Sequence, residues 1–238
     1  MRILIIRHGD PDYEHDSLTE KGFLEAELVA KRFEKEQFAA VYCSTNGRAM
    51  KTCEPTAKMM GITPKYRDWL REVPFCFDFP GYRDRKYWFS YPPQAWDTEP
   101  AMESVSDWDK APFFAESGIR AHIDNVNRQL DAILSSYGWS RRGHYYQMLP
   151  HCQDVAIAFF CHQGLGTALI AHLCSLPVAM LWNTSMTPTS SVSTIVMDKI
   201  REDEPISVAR MISMGDTSHL YAAGLDVNWR GLHHEITP

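Results

Sequence analysis

Two histidines each close a short apolar run, and two arginines stand beside them. The run RILII, residues 2–6, leads into Arg7, His8 and Gly9. The run DVAIAFFCH, residues 154–162, ends at His162 and continues into Gln163 and Gly164. A third run, FAAVYCS at 38–44, is followed by STNGRAMKT, which carries Arg48. Arginine presents planar paired donors that match phosphate oxygens. A helix beginning after Gly164 would add unpaired N–H groups and a positive dipole end. Cations around a histidine favour its neutral ring, and only the neutral ring can attack phosphorus. The chemistry these residue types suggest is phosphate binding with an imidazole nucleophile. Taken singly, each has a plainer reading, a structural histidine or a solvated arginine.

The elements that must position them follow from pattern. Short continuous apolar runs suit strands buried on both faces. A helix is expected from Thr19, a plausible N-cap, to about Glu36, with Phe23, Ala26, Val29, Ala30 and Phe33 inward. A second is expected over 47–60, with Met50, Cys53, Ala57 and Met60 inward, Pro55 kinking it and Gly61 capping it. Residues 119–137 carry a helical stripe from Ile119 to Tyr137, stopped by Gly138. GLGTALIAHLC reads as a helix directly after the run that ends at His162. SSVSTIVMDK and ISVARMISMG read as two more strands around the turn REDEP. Strands separated by helices imply an α/β fold, a three-layer sandwich with a mostly parallel central sheet. Ligands bind such sheets at the carboxyl ends of the strands, where the two histidines and two arginines fall.

Residues 73–115 break this rhythm. Aromatic residues and prolines crowd the stretch without periodicity, so it reads as an insertion or lid packed over one domain spanning 1–238.

Composition narrows the partners. The chain has 238 residues, 45% hydrophobic and 23% charged, which suits a globular protein able to bury its own core. A net charge of −6 argues against nucleic acid, though local arginines can still build a basic pocket. No apolar stretch reaches the ~18 residues of a membrane span. Six cysteines without a CxxC pair suggest reduced thiols and a cytoplasmic protein. The remaining histidines lack metal-ligand spacing, so no metal site is expected. His172 reads as a packing residue. His219, in DTSHL, reads equally as pocket support or as a structural hydrogen bond. Homo-oligomerisation is left open.

Taken in order, these segments resemble the histidine phosphatase superfamily, also called phosphoglycerate-mutase-like. IIRHG matches its strand into Arg-His-Gly. LTEKG at 18–22 matches its turn into a helix, and STNGRAMKT its Ser-x-x-x-Arg-Ala-x-x-Thr segment. LRE ends at Glu72 where the family has Leu-x-Glu. HQG at 162–164 and DTSHL at 216–220 complete the set. The resemblance implies a metal-independent, cofactor-free phosphomonoesterase acting on a small phosphorylated metabolite. His8 would form a phosphohistidine, and Glu72 would protonate the leaving oxygen. Arg7, Arg48 and His162, with Gln163 and Gly164, would hold the phosphoryl group. Where relatives carry hydroxyl and amide groups after Arg-His-Gly, this chain has Asp10, Pro11, Asp12 and Tyr13. Asp12 would repel phosphate if it faced the pocket, and Tyr13 could donate through its hydroxyl. Arg83 and Arg85 are further substrate or lid candidates. A mutase of the same fold, and a catalytically silent binder of a phosphorylated ligand or partner protein, are the alternatives.

Overall fold

The computed structural model describes residues 1–77, 86–87, 94–201 and 203–229. An eight-stranded mixed sheet forms the middle of three layers. Its strands in chain order are β1 (Arg2–Arg7), β2 (Phe38–Ser44), β3 (Lys65–Arg67), β4 (Trp139–Arg142), β5 (Tyr145–Met148), β6 (Ala156–Cys161), β7 (Val192–Lys199) and β8 (Ile206–Asp216). They lie in the order β3-β2-β6-β1-β7-β8-β5-β4. Strands β3, β2, β6 and β1 are parallel neighbours. Beyond β1, each strand runs antiparallel to the one before it.

Alternation along β1 divides the core. Ile3 and Ile5 face one layer and Leu4 and Ile6 the other. The Leu4 face packs against α1 (Glu20–Arg32) and α2 (Gly47–Met60) through Val29, Phe33, Ala49 and Cys53. The Ile3 face packs against α3 (Ile119–Ser136), α4 (Gln163–Cys174) and α5 (Val178–Thr184). Met102, Trp108, Ala111 and Phe114, from the aromatic stretch, join this second cluster. Trp108 and Trp182 meet edge to face at 5.6 Å between centroids.

Several expectations change in detail. Helix α1 stops at Arg32, and Phe23 lies 45% exposed, because Gly22, Glu25, Ala26, Val29 and Ala30 make the inward stripe. Helix α2 continues through Pro55 and ends at Gly61, which takes φ 62°. Its inward stripe is Ala49, Thr52, Cys53, Thr56 and Ala57; Met50 and Met60 are partly exposed. Strands β4 and β5 form a hairpin around Gly143 (φ 63°) that periodicity did not reveal, since each is four residues long. Helix α5 was also missed. No described helix is long and apolar enough to cross a membrane.

Candidate active site

The parallel arrangement brings the ends of β1 and β6 side by side. Arg7 pairs with Cys161, and the His8 N–H donates to the Cys161 carbonyl at 3.0 Å. His8 and His162 therefore leave adjacent strands together. Their ring centroids are 5.2 Å apart, and both are buried. Arg48 sits in the first turn of α2, just past the end of β2, with its side chain 13% exposed. Arg7 is 6% exposed and donates to the Thr187 carbonyl.

The His8 ring has a defined proton. Its Nδ1 lies 2.8 Å from the Gly9 carbonyl oxygen. A carbonyl only accepts, so Nδ1 carries the hydrogen and Nε2 keeps its lone pair. Burial, then the charges of Arg7 and Arg48, push the His8 pKa well below its ordinary 6.5. The ring is neutral at pH 7. His162 is pushed down in the same direction, chiefly by burial. Its Nε2 lies 2.9 Å from the Ser44 hydroxyl. His162 Nδ1 and Arg48 Nε are buried and have no hydrogen-bond partner among the described residues.

Small residues hold the His8 loop close to its supports. The Gly9 N–H donates to Thr52 of α2 at 2.9 Å, and Thr52 donates to the Arg48 carbonyl at 2.7 Å. A Cβ on Gly9 would stand 2.7 Å from the Gly22 carbonyl oxygen, and one on Gly22 would stand 2.2 Å from that of Asp10. Glycine at both positions is what permits this approach. Beneath the loop, Glu25 is fully buried and accepts from the Asp10 N–H and Thr189.

Glu72 is fixed at the start of α4. Its carboxylate accepts the N–H groups of Val73, Gly164 and Leu165 at 2.9, 3.2 and 3.0 Å. Desolvation raises its pKa above the ordinary value, against the pull of those N–H groups and of Arg7. This revises the place given to Gly164, whose N–H serves Glu72 and whose carbonyl accepts from Trp182 at 2.9 Å. Gln163 is revised too. Its side-chain oxygen accepts from the N–H and hydroxyl of Thr187, and its amide donates to the Ser185 carbonyl. A second amide N–H reaches the Thr167 hydroxyl at 3.4 Å, so within the structure the Gln163 side chain tethers the segment that anchors Arg7.

The Asp12 carboxylate is engaged locally: it pairs with the exposed His15 at 2.7 Å and accepts the Glu14 N–H at 3.1 Å. Tyr13 is 62% exposed, with its ring 5.5 Å from the Arg48 guanidinium carbon. Arg83 and Arg85 lie outside the described residues. His172 bonds Asp131 at 2.9 Å. His219 is buried in the short helix α6 (Ser218–Ala222), 3.5 Å from the hydroxyl of Ser190, whose N–H donates to the His8 carbonyl. DTSHL thus supports the nucleophile's strand end.

Residue-type reasoning did not single out Asp16, Ser44 or Thr52. Ser44 and Thr52 lay within the STNGRAMKT match and could have been found there. Asp16 had no such signal.

The sequence model described as histidine phosphatase superfamily (branch 1) matches residues 3–138. The chain belongs to this superfamily. As a member it is a phosphatase, a hydrolase of phosphoric monoesters. It is 24% identical over 193 residues to the adenosylcobalamin/alpha-ribazole phosphatase of Salmonella typhimurium, covering 77% of this chain and 84% of that one. Among solved structures, it resembles a phosphoserine phosphatase mutant from Entamoeba histolytica in complex with phosphoserine. There the TM-score is 0.59 and the identity 19%, over 92% of this chain and 98% of that chain. A mycobacterial glucosyl-3-phosphoglycerate phosphatase complexed with VO3 gives a TM-score of 0.55 at 19% identity, over 91% and 99% of the two chains. At such identities the structural likeness carries the fold alone.

Proposed function

We propose that this phosphatase hydrolyses a small phosphorylated metabolite through a phosphohistidine on His8, without a metal ion. The observation that carries the reading is the neutral, Nδ1-protonated His8 ring, 5.2 Å from His162 and within the field of Arg7 and Arg48. Its Nε2 attacks phosphorus while the ester oxygen departs. Charge spreading onto the equatorial oxygens meets Arg48 Nε and His162 Nδ1, two buried polar atoms suited to that task. Glu72, with its raised pKa, holds a proton for the leaving oxygen and then takes one from the water that attacks phosphohistidine. The cationic side chains supply the positive charge that a metal supplies elsewhere. The relatives named for phosphoserine, alpha-ribazole and glucosyl-3-phosphoglycerate phosphatase activity support a small metabolite as substrate.

The test is phosphate release from p-nitrophenyl phosphate and a panel of phosphorylated metabolites in the presence of EDTA. Turnover that EDTA leaves intact and His8→Ala abolishes supports the reading. Transfer of phosphate between positions of phosphoglycerate with little release would replace it with a mutase. Tight ligand binding without turnover would replace it with a silent binder.

A further inference from the structure

The loop between His8 and α1 carries a carboxylate that the mechanism above does not use. Asp16 takes φ 43° at the tip of a small hairpin made by Pro11–Asp12 and Ser17–Leu18. Its two oxygens are divided between two partners. Oδ1 accepts from Arg48 Nη1 and Oδ2 from the Gly47 N–H, each at 2.7 Å. The contact is built into the backbone, since a Cβ on Gly47 would stand 2.1 Å from the Asp16 carbonyl oxygen. Helix α2 has no cap of its own: Asn46 makes no side-chain cap bond, and its first turn has no acidic residue. Asp16 supplies from a distant loop the anion a helix N-terminus favours.

We propose that Asp16 is the positioning residue for Arg48, holding its guanidinium in register with His8 and His162 for phosphoryl transfer. The inference rests on the reading that Arg48 binds the phosphoryl group. Asp16 grips Nη1 from one side, and the Tyr13 ring lies 5.5 Å from the guanidinium carbon. That grip leaves Nε, buried and without a partner among the described residues, for a phosphoryl oxygen. Two effects oppose each other. The carboxylate fixes the guanidinium's geometry, and it also offsets the charge that should attract phosphate. Asp16 is 45% exposed, so water and salt screen the second effect, while the geometric constraint is unscreened.

A double-mutant cycle separates positioning from helix capping. Asp16→Ala, Arg48→Ala and the double variant are assayed on p-nitrophenyl phosphate under single-turnover conditions, with melting temperatures alongside. Asp16→Ala should lower kcat/KM on the order of 10- to 100-fold in the wild-type background, as expected for a misplaced catalytic group. It should change the Arg48→Ala enzyme by less than about twofold, because coupled residues are non-additive. The loss of the cap should lower the melting temperature equally in both backgrounds. The same fold loss in both backgrounds would make Asp16 a cap only. A lower KM, with tighter inhibition by inorganic phosphate, would make it a competitor of substrate. Either overturns the proposal. If Asp16→Ala does not fold, Asp16→Asn, which retains one acceptor oxygen, takes its place in the cycle. His8→Ala serves as the control: residual turnover there would sink the phosphohistidine reading, whatever the cycle shows.

Discussion

The Nδ1 of His8 lies 2.8 Å from the carbonyl oxygen of Gly9, so the nucleophile's tautomer is set by the next residue of its own chain. That carbonyl is held in turn by the close passage of Gly9 over Gly22. Gly9→Ala would push two backbones apart. The expected result is a destabilisation of about 1–3 kcal/mol, as for overpacked cores. A fall in kcat on the order of 100-fold should accompany it, since the ring would move by a fraction of an ångström to an ångström. Denaturant melts and steady-state kinetics check both numbers. An active, stable Gly9→Ala enzyme would contradict the account of how the ring is held.

Glu72 as proton donor predicts a dependence on the leaving group. Glu72→Gln should lower kcat on alkyl phosphates by about 10²–10³, within the usual range for general acid catalysis. The p-nitrophenyl ester, whose leaving group needs no proton, should lose far less. The pH profile follows from the two shifts. His8 must be neutral, and its pKa is pushed below 6.5, so activity persists as pH falls through 6. Glu72 must be protonated, and its pKa is raised above 4.5, so activity on alkyl esters falls as pH rises past that raised value. The acid limb due to His8 therefore lies below pH 6.5, and the alkaline limb due to Glu72 lies above pH 4.5. Glu72→Gln should remove the alkaline limb while leaving any limb due to the substrate's own titration. Equal losses on both ester classes would count against the acid role.

Much of this site was legible because its main residues sit at strand ends. Arg7, His8 and His162 close short apolar runs of the kind that suits buried strands, and parallel pairing of β1 with β6 then places both histidines together. Arg48 was legible from its position after β2. The partners across long sequence separations were not. The N–H groups of Gly164 and Leu165 looked free to bind phosphate because nothing local claims them; Glu72 claims them from 92 and 93 residues away. Gln163 bonds Thr187 across 24 residues, and Asp16 bonds Arg48 across 32. The β4–β5 hairpin was hidden for another reason: strands of four residues are too short for alternation to be read.

Gln163 as a tether predicts a loss of stability. Gln163→Ala strips the Thr187 N–H of its buried acceptor, which costs about 1–3 kcal/mol. It also frees the segment whose Thr187 carbonyl anchors Arg7, so KM for phosphate esters should rise several-fold. Thermal melts with steady-state kinetics would show it. A raised KM with an unchanged melting temperature would return Gln163 to a direct phosphate contact.

Buried neutral histidines make the fold sensitive to acid. His219 is lowered from 6.5 to about 4, mainly by burial and then by the Arg32 charge. The unfolded chain therefore binds this proton first. The stabilisation present at neutral pH begins to fall as pH drops below 6.5 and is lost progressively down to about 4. A shift of that size corresponds to at most about 3 kcal/mol. His8 and His162 act in the same direction. Urea melts between pH 7 and 4 should show falling stability, with a shallower slope for His219→Gln. An identical slope in that variant would show that His219 titrates normally.

The central claim is that Nε2 of His8 becomes phosphorylated during turnover. Rapid mixing of enzyme with a phosphate ester, an alkaline quench and peptide mass spectrometry test it directly. The account predicts a phosphoryl group on the peptide containing His8, stable to base, lost in acid and absent from His8→Ala. Full turnover with no adduct at His8, or with phosphate on another side chain, would contradict it.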